Sequence, residues 1–478
     1  MILPILLGPI LRTRPQGDQM SRTLSIVFIF VISGLLEAQQ PSVPPQPAPV
    51  HVYVSEGPVT AFKFTKVDYN LLAEADALDA EFEKRGLVLH DPGVQAYIDA
   101  TGNRVLGDRP VPEKVTYRFL VLRDAKVNAF ALPNGSVYIT TGLLALLENE
   151  AQLAGVLGHE TAHIYERHPY LENRSLRKKA VASEIFAVAA VCVPGGSASW
   201  LAATATANVA TLIMVESVYG YSRELESKAD RDGLAAMTVA GYDPHAMAVV
   251  FELLDRDGKL EYNAHPTFYQ DHPKLMERRE EALAFADAHT PTGARTGPKE
   301  DYIRAIAPAI ASSIDADIEN RRPRTAVALA TRLADAFPGD PHHQLLLGDS
   351  YRTLGAKTAV PTPDEFTASG EDRRRNQALK MSEQEEQKAL LKSPEGRATL
   401  KENQAKAEKA FLAAIESNPQ YALAYRELGF LYQEESRFAE AAINYRHYLQ
   451  LVADTSLDRL RIARRLTELE KLQADTPH

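Results

Sequence analysis

The chain has 478 residues, 45% hydrophobic and 24% charged, a balance that supports a sizeable core and excludes wholesale disorder, a fibre or a polytopic membrane protein. Its 53 Lys and Arg against 63 Asp and Glu leave a net charge of −10, which makes nucleic acid an unsuitable partner. A single cysteine, Cys192, excludes an internal disulfide and any cysteine-built zinc module, so a metal here has to be held by histidine and carboxylate.

An apolar run at residues 24–36 (LSIVFIFVISGLL) follows Arg22 and precedes Glu37-Ala38-Gln39, the layout of a secretory signal. The run is short for a bilayer span, which takes about 20 residues. Residues 1–38 therefore read as a signal peptide, with Met20 as an alternative start and an uncleaved anchor as the competing reading. In either case the bulk of the chain lies outside the cytoplasm. Residues 39–62 are rich in Pro and Gln and read as an extended linker.

Amphipathic spacing then predicts a helix over residues 65–85 and another from Asp91-Pro92 to 105. Alternation over residues 115–122 (VTYRFLVL) and 127–132 (VNAFAL) predicts two strands, and Pro133-Asn134-Gly135 turns the second into Val137-Tyr138-Ile139. Thr141 is expected to cap a helix to residue 147, and a longer helix follows over 151–167. Ala-rich stretches over 180–193 and 200–218 flank Pro194-Gly195-Gly196 and read as a buried or lid-like hairpin, with peripheral membrane contact left open. A helix over 222–240 closes at Gly241 and Pro244. The sum is an α+β domain over residues 63–290, mostly helical with a small sheet.

Beyond a connecting helix at residues 291–320, an internal repeat emerges. Pro338, Leu347, Gly348 and Tyr351 recur, each 81 residues later, as Pro419, Leu428, Gly429 and Tyr432. Taking away the tetratricopeptide period of about 34 residues leaves an insertion of about 47, which the polar residues 357–404 accommodate. Residues 321–474 are therefore expected to form an all-α tetratricopeptide (TPR)-like repeat domain. A generic helical bundle is the plainer reading.

The chemistry concentrates in Gly158-His159-Glu160-Thr161-Ala162-His163, an HExxH sequence on an apolar helix. Residues four apart share a helix face, so His159 and His163 can aim their imidazoles at one ion. Glu160, turned by about 100°, can reach a water without ligating the metal. Two histidines leave a zinc site one ligand short, and the helix opened by Tyr221-Ser222-Arg223-Glu224-Leu225-Glu226 offers two carboxylates. Glu226 shares a face with Asp230, whereas Glu224 does not, which favours Glu226. Oxyanion donors could come from Arg223 or His272.

HExxH followed by Ser-Arg-x-x-Glu-x-x-Ala-Asp resembles the zinc peptidase family of the heat-shock protease HtpX and the CAAX prenyl protease. The resemblance implies a zincin-like fold, one Zn²⁺ per chain held by His159, His163 and Glu226, Glu160 as the catalytic base, and Asp230 orienting a ligating histidine. Asn128, Ala129 and Phe130 resemble the family's edge strand, which pairs with an extended substrate. His272-Pro273, with Arg278 six residues on, resembles its His-Pro signature and implies a regulatory fourth ligand that holds the enzyme latent. A simple helix cap at His272 and a rival at His265-Pro266 remain open. His168, five residues past His163, lies off the ligand face and is assigned a supporting or capping role. Lys228 departs from the Glu of many relatives and alters the charge balance near the site.

With a signal and C-terminal repeats added, the chain resembles the periplasmic, repeat-bearing members of that family that assist β-barrel assembly. This implies a periplasmic zinc-dependent endopeptidase cutting misfolded or misassembled envelope proteins, with the repeats recruiting substrate or assembly machinery. The alternative is a TPR scaffold or chaperone whose protease site is latent. A non-peptidase metal hydrolase fits less well, because the edge strand suits peptides.

Overall fold

The computed structural model describes residues 62–181, 221–260, 275–320, 322–356, 393–453 and 457–474. The signal, nearly all of the linker and the Ala-rich hairpin, both His-Pro pairs and most of the polar insertion fall outside the described residues.

Helix α1 (Lys66–Lys84) starts where the Thr65 amide and hydroxyl both donate to Asp68 Oδ2, each at 2.7 Å. Helix α2 (Pro92–Leu106) starts at Asp91, whose carboxylate accepts from the Gly93 and Val94 amides, with Pro92 in the first turn. Three strands follow: β1 (Arg118–Leu122), β2 (Ala129–Ala131) and β3 (Ser136–Thr140), in the order β1-β3-β2. β1 runs parallel to β3 and β2 antiparallel to it. The first strand is shorter than its alternation predicts, because Thr116 donates to Asn134 O in the β2–β3 turn rather than joining the ladder (2.9 Å). Gly135 in that turn has φ +106°, and a Cβ there would sit 2.4 Å from Thr116 O. Asp79 of α1 ties the sheet down, accepting from Asn134 Nδ2 (2.7 Å), Ser136 Oγ (2.9 Å) and Tyr138 Oη (2.6 Å).

Helix α3 (Thr141–Leu146) is capped by Thr140, which accepts from the Leu143 amide at 3.2 Å. The expected cap, Thr141, instead donates its hydroxyl to Asp124 O at 2.9 Å. Helix α4 (Glu150–Tyr165) is buried along nearly its whole length. It ends two residues before the pattern predicts: Arg167 is left-handed at φ +62°, and Pro169 cannot continue the helix. Helices α5 (His168–Val181), α6 (Arg223–Val239), α7 (His245–Leu260) and α8 (Leu275–His289) complete the shell. Where α4 crosses α6 the backbones touch: a Cβ on Gly158 would lie 2.9 Å from Gly233 O, and one on Gly233 would lie 2.7 Å from His159 N. No side chain larger than hydrogen fits either position.

The core does not stop near residue 290. Helices α9 (Lys299–Glu319) and α10 (Pro323–Ala336) add Ile306, Ile310 and Leu333 to the same cluster as Ile98, Leu143 and Leu157. Tyr302 Oη donates to Leu144 O at 2.9 Å, and Arg332 Nη1 to Ala145 O at 2.6 Å. A second core gathers helices α11 (Pro341–Ala356), α12 (Pro394–Ser417), α13 (Ala422–Glu434), α14 (Phe438–Leu451) and α15 (Leu457–Ala474). α11 packs on α12 and α13 on α14. A Cβ on Gly348 would sit 2.3 Å from the Phe411 ring, and one on Gly429 would sit 2.4 Å from the Tyr445 ring. The ring follows its glycine by 63 residues in the first pair and by 16 in the second, so the excess is the 47 residues assigned to the insertion. Because α12 begins at Pro394, the last part of that stretch is helix rather than loop. Among the described residues no helix is long and apolar enough to cross a membrane.

Candidate metal centre

The α4–α6 crossing brings the HExxH helix against the carboxylates of α6. His159 Nε2 lies 3.0 Å from His163 Nε2 and 3.6 Å from Glu226 Oε2, and His163 Nε2 lies 3.5 Å from Glu226 Oε1. These are close to the ligand–ligand edges of a tetrahedral site, about 3.3 Å for metal–ligand distances near 2.05 Å. Among the described residues this is the one group of three that could hold a metal in this way, and all three side chains are buried. Glu224, the rival ligand, is exposed.

Outside this trio lies a rigid frame. His159 Nδ1 is 2.9 Å from Asp230 Oδ1, and Arg278 of α8 grips Asp230 twice, Nε to Oδ2 at 2.7 Å and Nη2 to Oδ1 at 2.6 Å. Arg278 Nη1 also reaches Glu226 Oε2 at 3.3 Å, while its guanidinium lies over the Phe251 ring. Burial works to raise the Asp230 carboxyl, but Arg278 and His159 hold it below the usual carboxylate range. Sequence reasoning quoted Arg278 only as part of a signature. Its clamp on Asp230 depends on packing between helices 48 residues apart, which no local pattern encodes.

The donor set suits a divalent cation. Glu160, Glu226 and Asp230 are at most 4% exposed, and Arg278, 5% exposed, is the guanidinium that answers them. The formal sum is two negative charges in excess, in surroundings where uncompensated charge is costly. One divalent ion on His159, His163 and Glu226 cancels it.

On the far side of His163 are two groups that HExxH periodicity does not reveal. The Tyr221 ring stacks on the His163 ring at 4.1 Å and 24°. His168 Nδ1 lies 3.1 Å from His163 Nδ1. His168, expected off the ligand face in a supporting or capping role, lies outside the trio, and the turn at Arg167, where the helix has ended, folds its ring against His163. Burial pushes the His168 imidazole down to about 4, so it is neutral near pH 7. Lys228 pairs with Glu166. Burial and that same Glu166 push the nearby Asp232 up to about 6.

Not every expected residue joins the site. Arg223 is exposed on the first turn of α6, and no hydrogen bond or ion pair links it to the cluster among the described residues. His272 and His265 lie outside the described residues. The edge strand is present as β2. Asn128 O accepts from the Thr140 amide (3.0 Å) and the Leu132 amide donates to Ser136 O (2.8 Å), so Asn128, Phe130 and Leu132 bond to β3. By alternation Ala129 and Ala131 turn their amide and carbonyl groups away from β3; Ala129 is fully buried and Ala131 half-buried.

Residues 92–286 match the model of Peptidase family M48, and the chain carries a domain of that family. A beta-barrel assembly-enhancing protease of Escherichia coli (strain K12) is 26% identical over 222 residues, covering 46% of this chain and 44% of its own. Its Vibrio cholerae counterpart is 32% identical over 237 residues, 48% of this chain and 47% of the relative. The mitochondrial metalloendopeptidase OMA1 of Schizosaccharomyces pombe is 32% identical over 159 residues, 33% of this chain and 43% of its own. The chain thus spans about half the length of the curated relatives it matches.

Proposed function

We propose that the chain is an exported, zinc-dependent endopeptidase that hydrolyses peptide bonds in misfolded or misassembled envelope proteins. The observation that carries this reading is the meeting of both HExxH imidazoles with the remote carboxylate of Glu226 in one buried cluster. A zinc ion held there supplies Lewis acidity at the scissile carbonyl and lowers the pKa of a water toward about 7. Glu160, adjacent to the ligand His159 and buried, takes the proton of the attacking water and returns it to the departing amine. Asp230, fixed by Arg278, orients His159. An extended stretch of substrate adds to β2 by main-chain hydrogen bonds, for which the half-buried Ala131 is more accessible than the fully buried Ala129. This selects for unfolded segments rather than for a strict sequence.

The glycine–aromatic contacts of α11–α12 and α13–α14 support reading the C-terminal helices as tetratricopeptide-type repeats that recruit substrate or an assembly machine. The apolar run at residues 24–36 supports export to the periplasm. The test compares cleavage of an unfolded protein such as casein by wild type and by Glu160→Gln, with metal content measured in both. Loss of cleavage by at least about 100-fold with metal retained is expected. Equal cleavage by the two would overturn the assignment of Glu160.

A further inference from the structure

The two ligand imidazoles are held differently, and the difference points to a residue with a specific task. His159 has a carboxylate, Asp230, 2.9 Å from its Nδ1. At the same place His163 has another imidazole, His168, with Nδ1 3.1 Å from Nδ1. His163 turns Nε2 toward the cluster, 3.5 Å from Glu226 Oε1. A neutral imidazole that ligates through Nε2 carries its single proton on Nδ1, so whatever faces Nδ1 has to accept.

We propose that His168 is a positioning residue that accepts the His163 Nδ1 proton, fixing the tautomer and the rotation of that ring for metal binding. The proposal rests on the reading of His159, His163 and Glu226 as the metal ligands. Three further observations support it. Arg167 at φ +62° and Pro169 break the helix just where His168 must double back, and the side chain is fully buried as a result. The Tyr221 ring closes the other side, stacked on His163 and 5.9 Å from His168. Finally, when Nδ1 accepts, the proton of His168 sits on Nε2, which is buried and has no partner among the described residues. An unpartnered polar atom of that kind costs stability that an apolar ring in the same space would not. A residue kept only for packing would not need it. A carboxylate could also accept, but it would leave the metal-loaded cluster with an uncompensated buried charge. The imidazole satisfies the proton and adds none.

The test uses the full chain and three variants. His168→Asn places Oδ1 near the position of Nδ1 and keeps the acceptor, His168→Phe keeps a ring without one, and His168→Leu repeats the loss in a smaller side chain in case Phe disturbs the fold. Co²⁺ affinity is measured by chelator competition, the visible spectrum of bound Co²⁺ reports ligand geometry, and the melting temperature of the metal-free protein reports packing. The expected result is that Asn stays within about threefold of wild type, while Phe and Leu lose about 10- to 100-fold in affinity with a changed Co²⁺ spectrum. The metal-free Phe variant should melt no lower than wild type. Retained affinity and an unchanged spectrum in both Phe and Leu would overturn the proposal, as would equal losses in Asn and Phe together with a lowered metal-free melting temperature. Failure of wild type to bind Co²⁺ at all would instead overturn the ligand assignment, and His168 with it.

Discussion

Glycine meets glycine where α4 crosses α6, whereas glycine meets an aromatic ring where α11 packs on α12 and α13 on α14. In the first crossing two backbones touch, and neither has a side chain that can move aside. The spacing is therefore fixed at the residues next to His159, and any error passes to the distance between the imidazoles and Glu226. In the second kind the ring of Phe411 or Tyr445 lies over a bare helix face and can tilt to absorb small changes. One arrangement sets the geometry of a buried charge cluster, and the other sets the spacing of a helical array. The two should fail separately.

The largest effect is expected at the backbone contact. Gly158→Ala or Gly233→Ala forces α4 and α6 apart and should abolish tight metal binding, at a stability cost of roughly 3 kcal/mol or more. Metal analysis and thermal melting check both parts. Next is Asp230→Asn, which takes away the partner that Arg278 holds at 2.6 and 2.7 Å. Metal affinity should drop about 10- to 100-fold, and the metal-free fold should lose about 3 kcal/mol because a buried guanidinium is left under-compensated. Gly429→Ala should cost about 1–3 kcal/mol, confined to the second core, with faster hydrogen exchange in α13 and α14 and unchanged metal content. If Gly429→Ala released metal as Gly158→Ala does, the contrast between the crossings would not hold.

The smallest effect concerns neither crossing. His245 at the start of α7 bonds Asp287 at 3.1 Å and Asp243 at 2.8 Å, and these partners raise its pKa. A raised folded-state value means that the contribution is complete below about 6.5 and is lost as pH rises through the folded value. With the side chain 39% exposed, that loss should be only about 0.3 kcal/mol. Denaturant melts of wild type and His245→Gln at pH 6 and pH 8 should show the gap closing at the higher pH.

What could be read in the sequence follows the range of the physics involved. HExxH and the Glu226–Asp230 pair are governed by helical periodicity within a few residues, and the structure brings them together. The 81-residue recurrence is legible because four residue types return in the same order, and the 47-residue insertion follows only after a period of about 34 is subtracted; the rings that Gly348 and Gly429 admit needed the structure. His168 lies outside the ligand trio, as its five-residue spacing from His163 implies, but its contact with His163 depends on the turn at Arg167 after the helix has stopped, which periodicity does not describe. The outward groups of the edge strand needed the register of β2 on β3, since a shift of one residue exchanges the two edges. Arg278 and Tyr221 act through contacts between segments far apart in the chain, and no spacing rule reaches that far.

The central claim is that His159, His163 and Glu226 together hold one divalent ion while Glu160 does not. Zinc stoichiometry and affinity of wild type, Glu226→Gln and Glu160→Gln, measured side by side, test it most directly. One ion per chain in wild type and Glu160→Gln, with binding lost or weakened by about 100-fold or more in Glu226→Gln, is the predicted result. Undiminished zinc binding in Glu226→Gln would contradict it.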